Sequence, residues 1–458
     1  MSKNNNCVLL VMAWVTLASV PMTTAHAHDI TFTKDVAPIL YKHCVQCHRP
    51  GEVGPFSLLT YQDAAKRAPF IAQITQKRQM PPFHADPNYG DFKNVRRLSE
   101  SELATLAAWA KAGAPEGNKA LLPAPPKFTE GWQLGKPDLI LKMPKPFLIP
   151  ANSRDIYQVF VLPTGLMEDR TVAAVEFRPG NSKVVHHAIM YVDNSGAARK
   201  KDEDDEELGY RSFGGLGFLP SGGLGGWAPG VSALNLPEGF GKFLAKNSDL
   251  ALQIHYHPSG KDETDQSEVG IYFTKQPAKR IVTGIAMYNT KIFIPPGEKD
   301  YRLVEEVELP CDVHAMGVWP HMHLLGREMK LTAELPNGKP VPMLWIKDWD
   351  FNWQDGYEYR QPLMLPKGTK LKLEARYDNS PENPQNPNSP PALVYYGEKT
   401  TNEMCLCTIL IFPDQPNDMN KLFTMPHARL GAALGGGTLP GNGDKAPAFG
   451  DVPKQKPE

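Results

Sequence analysis

"VVHHAIMYV", residues 184–192, reads as a buried β-strand with two histidines side by side at its centre. Successive side chains of a strand turn to opposite faces, so His186 and His187 should not reach one partner on a regular ladder. Eight histidines lie beyond residue 128, and six of them fall in three short clusters. The other two clusters are "LALQIHYHPSG" (250–260), with His255 and His257, and "MGVWPHMHLLG" (316–326), with His321 and His323. There the histidines are two apart, so a strand presents both on one side, the arrangement a metal site needs. An isolated buried histidine is ordinarily a hydrogen-bonded core residue; three clusters in apolar, β-favouring contexts point to metal. Imidazole suits copper, zinc and iron alike, and a sulfur ligand would tilt the choice. "TTNEMCLCTILIF" (400–412) places Met404 in an apolar strand, ahead of Cys405 and Cys407.

Working outward, the chain has 458 residues, more than one core usually holds, so two or three domains are expected. A net charge of -1, with no Lys/Arg-rich stretch, argues against a nucleic-acid partner. Proline (44) and glycine (38) are frequent, and helical periodicity is scarce after about residue 118, which favours a loop-rich all-β body. The first stretch has Lys3, an apolar run from Cys7 to Val20 and Ala-His-Ala at 25–27, the pattern of a signal peptide spanning 1–27. The run is short for a membrane span, and no later segment is apolar enough for one. A periplasmic or secreted protein, with no membrane span after processing, is the expectation. The charged run "KKDEDDEELG" (200–209) reads as a solvated loop, and the Gly/Pro/Lys-rich tail, 431–458, as disordered.

The early part carries its own motif. "DVAPILYKHCVQCHRPG" (35–51) holds Cys44, Cys47 and His48 in the C-x-x-C-H spacing of covalent haem c attachment. Two thiols on one helical turn reach the two vinyl groups of one porphyrin, and the next residue then lies under the iron. In "QKRQMPPFHAD" (76–86), Met80 is the distal ligand and His84 the runner-up. Ser99 with Glu102 forms an N-cap pair ahead of Leu103, Leu106, Ala107 and Ala110, and Gly113 with Pro115 stops that helix. Residues 30–116 resemble the cytochrome c modules of exported bacterial proteins, and "LLPAPPKF" (121–128) reads as a linker.

Five stretches, "VVHHAIMYV", "LALQIHYHPSG", "FIPPGEKDYRLVEEVELPC", "HMHLLGREM" and "NEMCLCTIL", follow the order and approximate spacing of the copper type II monooxygenases. That family includes peptidylglycine alpha-hydroxylating monooxygenase and dopamine beta-monooxygenase, and the resemblance spans about residues 150–412. It implies one copper on His186, His187 and His255, the electron-transfer site, and a second on His321, His323 and Met404, the oxygen site. It also implies two successive jelly-roll-like β-sandwich domains, and hydroxylation of a substrate C–H bond with O2. Two electrons are needed per turnover, from an ascorbate-like reductant or a periplasmic redox protein, with the haem feeding or replacing that donor.

The departures are specific. Trp319 stands where the peptide enzyme has a carboxylate-binding arginine, and Leu406 is apolar two residues after Met404. A C-terminal carboxylate substrate is thereby disfavoured, and a less polar small organic molecule favoured. His257 is not a ligand in the family's matching stretch, and His314 and His427 read as structural or surface residues. Cys311 and Cys405 match family cysteines whose usual partners are missing, so one bridge is expected, from Cys311 to Cys405 or Cys407.

The expected fold is thus multidomain: a signal peptide (1–27), a small all-α cytochrome c domain (28–118), two all-β copper domains (119–265 and 266–430) and a tail (431–458). The expected cofactors are two coppers and one haem c. The competing reading is an electron-transfer or copper-binding protein that does not hydroxylate. Retention of six ligands in two dissimilar sets, Met404 among them, favours the enzyme.

Overall fold

Ser99 opens the longest helix, Glu100–Lys111, through a complete capping box with Glu102, as the sequence pattern predicts. Its Leu103, Leu106 and Trp109 are buried against Phe32, Leu40 and Ile71 from the earlier helical turns. The computed structural model describes residues 29–425, apart from 53, 94, 130, 213–214, 229–232 and 398. The leader, the tail and His427 lie outside the described residues. Among those described, no helix is long and apolar enough to cross a membrane.

Beyond the linker the chain is almost entirely strand. One sheet contains Leu139–Lys142, Glu268–Phe273, Arg170–Arg178, Phe240–Leu244 and Arg280–Ile281. A second contains Tyr210–Arg211, Ile156–Pro163, Asp249–Tyr256, Val185–Asp193 and Gly222–Trp227. Side chains from both, including Val175, Ile271, Phe160, Met190 and Leu252, make one core. The central strand Asp249–Tyr256 is buried at every position, including the polar Asp249, Gln253 and His255. Because Glu268–Phe273 pairs with Arg170–Arg178, and Arg280–Ile281 with Phe240–Gly241, the first β unit takes in residues past 265.

The third sheet is ordered Thr283–Tyr288, Leu406–Pro413, Val313–His321, Tyr357–Leu365. The fourth is Tyr301–Glu308, Lys370–Tyr377, Gly326–Glu334, Pro340–Ile346, and these two sheets share the largest core. Together the four larger sheets are disposed like the blades of a four-bladed propeller. The charged run at 200–209 is not all loop, since Ala197–Glu203 is helical.

Two expectations are corrected. There is no distinct all-α cytochrome c domain followed by two sandwiches: the chain is mostly strand in small sheets, with six short α-helices among the described residues. The reason is visible at residues 83–97, which leave the helices and join the β body. Ala85 bridges Ile346, Phe92 bridges Tyr359, and both Ala85 and Phe92 belong to the core of the third and fourth sheets. Phe92 stacks on Tyr359 with ring centroids 5.3 Å apart. The expected disulfide is also absent, for Cys311, Cys405 and Cys407 are all buried and free. Cys311 Sγ faces Asp418 O at 4.0 Å instead.

If residues 83–97 are part of the β core, Phe92→Ala should destabilise the β body by about 3–5 kcal/mol, the usual penalty for emptying an aromatic site. Denaturant unfolding followed by tyrosine and tryptophan fluorescence measures this. An unchanged midpoint would mean that the segment is only draped on the surface.

Candidate metal centres

Strand Asp249–Tyr256 runs antiparallel to Val185–Asp193, with His255 opposite His187 and Tyr256 opposite Val185. The register therefore shifts at this point and His186 is the extra, unpaired residue, a β-bulge. This is the irregularity that two adjacent histidines need in order to turn to one side. One ring nitrogen from each of His186, His187 and His255 lies within 4.8 Å of the other two. His186 Nδ1 is 3.2 Å from His187 Nδ1, which is 3.4 Å from His255 Nδ1. Three Nδ1 atoms thus converge.

The outer ring nitrogen of His255 is tied off. His255 Nε2 donates to Asp155 Oδ2 at 3.0 Å, which leaves Nδ1 as the lone-pair side. The same carboxylate takes His257 Nδ1 at 2.9 Å, so His257 supports Asp155 and is outside the trio. Hydrogen bonding from His255 holds the Asp155 carboxyl below the usual carboxylate range, against its partial burial. Tyr157 stacks on His255 with centroids 4.2 Å apart. Burial, followed by the charges of His255 and His257, brings the His186 imidazole down to about 4. Burial also pushes His187 well below its ordinary value. At neutral pH both rings are unprotonated and able to donate a lone pair.

The second cluster is built where two strands end. Val313–His321 pairs with Leu406–Pro413, with His321 opposite Leu406. Continuing that antiparallel register sets residue 323 opposite 404. The two backbones are stapled by Glu403: its Oε2 accepts from His323 N at 2.9 Å and from Met404 N at 3.2 Å, and its Oε1 from Leu325 N at 2.6 Å. Burial raises the Glu403 carboxyl to about 8 in spite of these N–H donors. Tyr377 OH donates to Met404 O at 2.8 Å, fixing the next peptide.

His323 Nδ1–H donates to Asn402 O at 3.0 Å, and His321 Nδ1–H to Gln354 Oε1. Nε2 is therefore the lone-pair nitrogen of both rings, which lie 5.0 Å apart between centroids. Gln354 Nε2 donates to Phe351 O at 3.0 Å, which orients the amide with its oxygen toward His321. Burial, then the His321 charge, lowers His323 to about 3, and burial lowers His321 as well. Phe351 stands between the two clusters, with its ring centroid 6.3 Å from that of His186 and 6.0 Å from that of His323.

At the C-x-x-C-H motif, Cys44 and Cys47 are free thiols in the turns after helix Ala37–His43. Burial pushes the Cys44 thiol up to about 12 and also raises that of Cys47. His48 Nδ1–H donates to Phe56 O at 3.1 Å, which leaves Nε2 as the lone-pair side. Gly54 is needed here, since a Cβ would lie 2.8 Å from His48 Nδ1. Met80 is partly buried in the turn after helix Ala68–Gln76. His84 Nε2 is buried without a hydrogen-bond partner. His314 pairs with Asp414 at 3.0 Å and stacks on Phe412, a structural role.

Asp155, Gln354, Phe351 and Glu403 carry no motif of their own. Only Glu403 left a trace in the sequence, as a lone carboxylate entering an apolar strand beside Met404.

Known proteins resemble part of this chain. The chain is 26% identical over 281 residues to DBH-like monooxygenase protein 1 of Homo sapiens, covering 56% of this chain and 44% of that protein. The Gallus gallus protein of the same name is 23% identical over 281 residues, with the same coverage of 56% and 44%. DBH-like monooxygenase protein 2 of Mus musculus is 23% identical over 254 residues, 51% of this chain and 39% of that protein. The chain thus spans less than half the length of these curated relatives, and the likeness supports a relationship to the copper monooxygenases. No family model matches. A solved infectious bursal disease virus VP2 subviral particle gives a TM-score of 0.15 at 10% identity, covering 67% of this chain and 92% of that one, and carries no argument.

Glu403→Ala should free three buried N–H groups at once and destabilise the protein by about 3 kcal/mol or more. Urea unfolding of the metal-free protein would read the loss. A change below about 0.5 kcal/mol, the range of an ordinary surface substitution, would show that Glu403 does not hold the two backbones together.

Proposed function

We propose that the chain is an exported copper- and haem-containing monooxygenase that hydroxylates a C–H bond of a small organic substrate with O2. The observation that carries this reading is the pair of histidine clusters flanking Phe351, three converging Nδ1 atoms on one side and two rings presenting Nε2 on the other; Met404 follows Glu403, whose carboxyl is bonded to the backbone of His323 and of Met404 itself. A protein that only stores copper has no need of two unlike sets. The similarity to DBH-like monooxygenases supports the same reading.

Both sets fit copper by donor chemistry. Clustered imidazoles, with those of His255, His321 and His323 held by a hydrogen bond on the far nitrogen, suit a first-row metal, and a thioether selects cuprous copper over zinc. His186, His187 and His255 would hold one ion, and His321, His323 and Met404 the other. Bound there, copper supplies one-electron redox chemistry and the activation of O2 toward a C–H bond. Asp155 makes His255 a stronger donor, and Gln354 and the Asn402 carbonyl fix the tautomers of His321 and His323. Burial keeps His186, His187, His321 and His323 unprotonated, so they accept metal at neutral pH with little proton release.

The haem motif also passes the test of fit. Cys44 and Cys47 are unpaired, His48 presents Nε2, and the buried Nε2 of His84 has no other partner. Haem c bound to Cys44 and Cys47, with His48 and either Met80 or His84 on the iron, would store single electrons from an ascorbate-like reductant or a periplasmic redox protein. The substrate is apolar near its reactive carbon. Trp319 offers no charge for a carboxylate and packs against the backbone of Gly356, where no side chain would fit. Leu406 adds a further apolar group.

Met404→Ala tests the assignment. Metal analysis of the wild-type chain should give two coppers and one haem iron, and the reduced protein should consume O2 faster once a substrate is found. In the variant, substrate-dependent uptake should fall to background while the haem spectrum and one copper remain. Unchanged uptake would remove Met404 from the site.

A further inference from the structure

Arg96 reaches from the N-terminal part of the chain to the residue beside a support of His321. Its guanidinium pairs with Asp355, and Asp355 follows Gln354, whose Oε1 accepts from His321 Nδ1. Arg96 is itself held, since its Nε donates to Pro82 O at 3.3 Å. Its neighbour Arg97 donates to Ala85 O and lies over the Phe83 ring at 5.2 Å. Residues 82–85 and 96–97 are thus clasped to one another. The clasp is fastened to the β body where Ala85 bridges Ile346 and Phe92 bridges Tyr359.

Loop 347–356 joins those two bridged strands, Pro340–Ile346 and Tyr357–Leu365. Asp86 N donates to Trp345 O and Lys93 N to Glu358 O, both at 2.7 Å, so both ends of the loop are fixed. Within it, the Asp355 carboxylate is largely buried, with its side chain 15% exposed, and accepts from Gly356 N at 2.9 Å. Gly356 backs onto the Trp319 indole, which leaves no room for a Cβ. A carboxylate withdrawn from water needs a charge partner, and Arg96 supplies it. Without Arg96 this carboxylate has to turn toward water, and Gln354, one peptide away, turns with it. Gln354 decides which nitrogen of His321 carries the proton. A neutral imidazole has one N–H and one lone pair, so an acceptor at Nδ1 puts the proton there and leaves Nε2 free. His323 is held in the same form by Asn402 O, and the two rings match only while both Nδ1 protons are held.

We propose that Arg96 is a positioning residue for His321: through Asp355 it holds Gln354 in place, and thereby fixes His321 as the Nδ1–H tautomer with Nε2 free to bind a metal. This inference rests on the reading of His321 as a metal ligand, and it concerns the ring before any metal is bound. Asp355 and Gln354 are the two links between them, one an ion pair and the other a hydrogen bond.

The test uses the full chain, kept reduced, with its histidines labelled with nitrogen-15 and copper removed by chelation. Two-bond nitrogen–proton correlation spectra give the tautomer of each neutral ring, and the signals of His321, His323 and His255 are assigned by their loss in single substitutions to Gln. In the wild type the His321 proton should sit on Nδ1. Arg96→Met should move it to Nε2 or to a mixture of forms, while His323 stays Nδ1–H and His255 stays Nε2–H. Asp355→Asn, which keeps the shape of the side chain, should do the same and serves where Arg96→Met does not fold. Arg96→Lys, which keeps the charge, should restore most of the Nδ1–H form. In a His187→Ala background, cuprous affinity at the His321 set, measured by competition with bicinchoninate, should fall roughly tenfold or more in Arg96→Met. A His321 tautomer unchanged in both Arg96→Met and Asp355→Asn overturns the proposal. So does a change in all three rings together, which marks a general loosening. If the His321 tautomer follows residue 96 but His187→Ala binds no cuprous copper, the metal reading fails and the positioning role stands.

Discussion

The skipped residue at His186 is the constraint on which the first site depends. On a regular ladder His186 and His187 would face opposite sides of the sheet, and only one could meet His255. The bulge turns both inward, where burial strips the rings of their protons and Asp155 orients the ring opposite. The second site solves the same problem differently. There the ladder ends at His321 and Leu406, and a buried Glu403 carboxyl bonded to His323 N and Met404 N holds the two backbones where the strand hydrogen bonds have run out.

These solutions are coupled because the two sites face each other across a single loop. Phe351 lies within ring-contact range of both, while Gln354, three residues on, is bonded to His321. A loop of this kind is ordinarily free to move. Here residues 83–97 fasten both strands that lead into it, so the position of His321 depends on a segment of chain more than 220 residues earlier. The absence of a separate all-α domain follows from this docking: the stretch between the third and last α-helices of the N-terminal part is spent on the β body.

What the sequence revealed was local. The same-side pairs His255/His257 and His321/His323 follow from a two-residue period, the capping box from a three-residue spacing, and C-x-x-C-H from one helical turn. The bulge was foreseeable because adjacent ligands on a strand admit few geometries. The supports were not. Asp155 lies 100 residues from His255, Glu403 lies 80 from His323 and Gln354 lies 33 from His321, distances over which spacing carries no signal. His257, which the resemblance sets apart from the ligands, is bonded to Asp155. The disulfide failed because matching by position ignored where each thiol points, with Cys311 toward Asp418 and Cys405 beside Tyr377. The separate helical domain failed because "MPPFHAD" was read for its ligands alone, although Ala85 and the downstream Phe92 are core residues of another unit.

The central claim is that one chain holds two coppers in unlike donor sets, one of nitrogen alone and one with the sulfur of Met404. X-ray absorption at the copper edge of the fully loaded, cuprous protein tests it directly. The account predicts a sulfur scatterer at half occupancy per copper beside imidazole nitrogen. A spectrum with nitrogen and oxygen scatterers only, or with a single class of copper site, would contradict it.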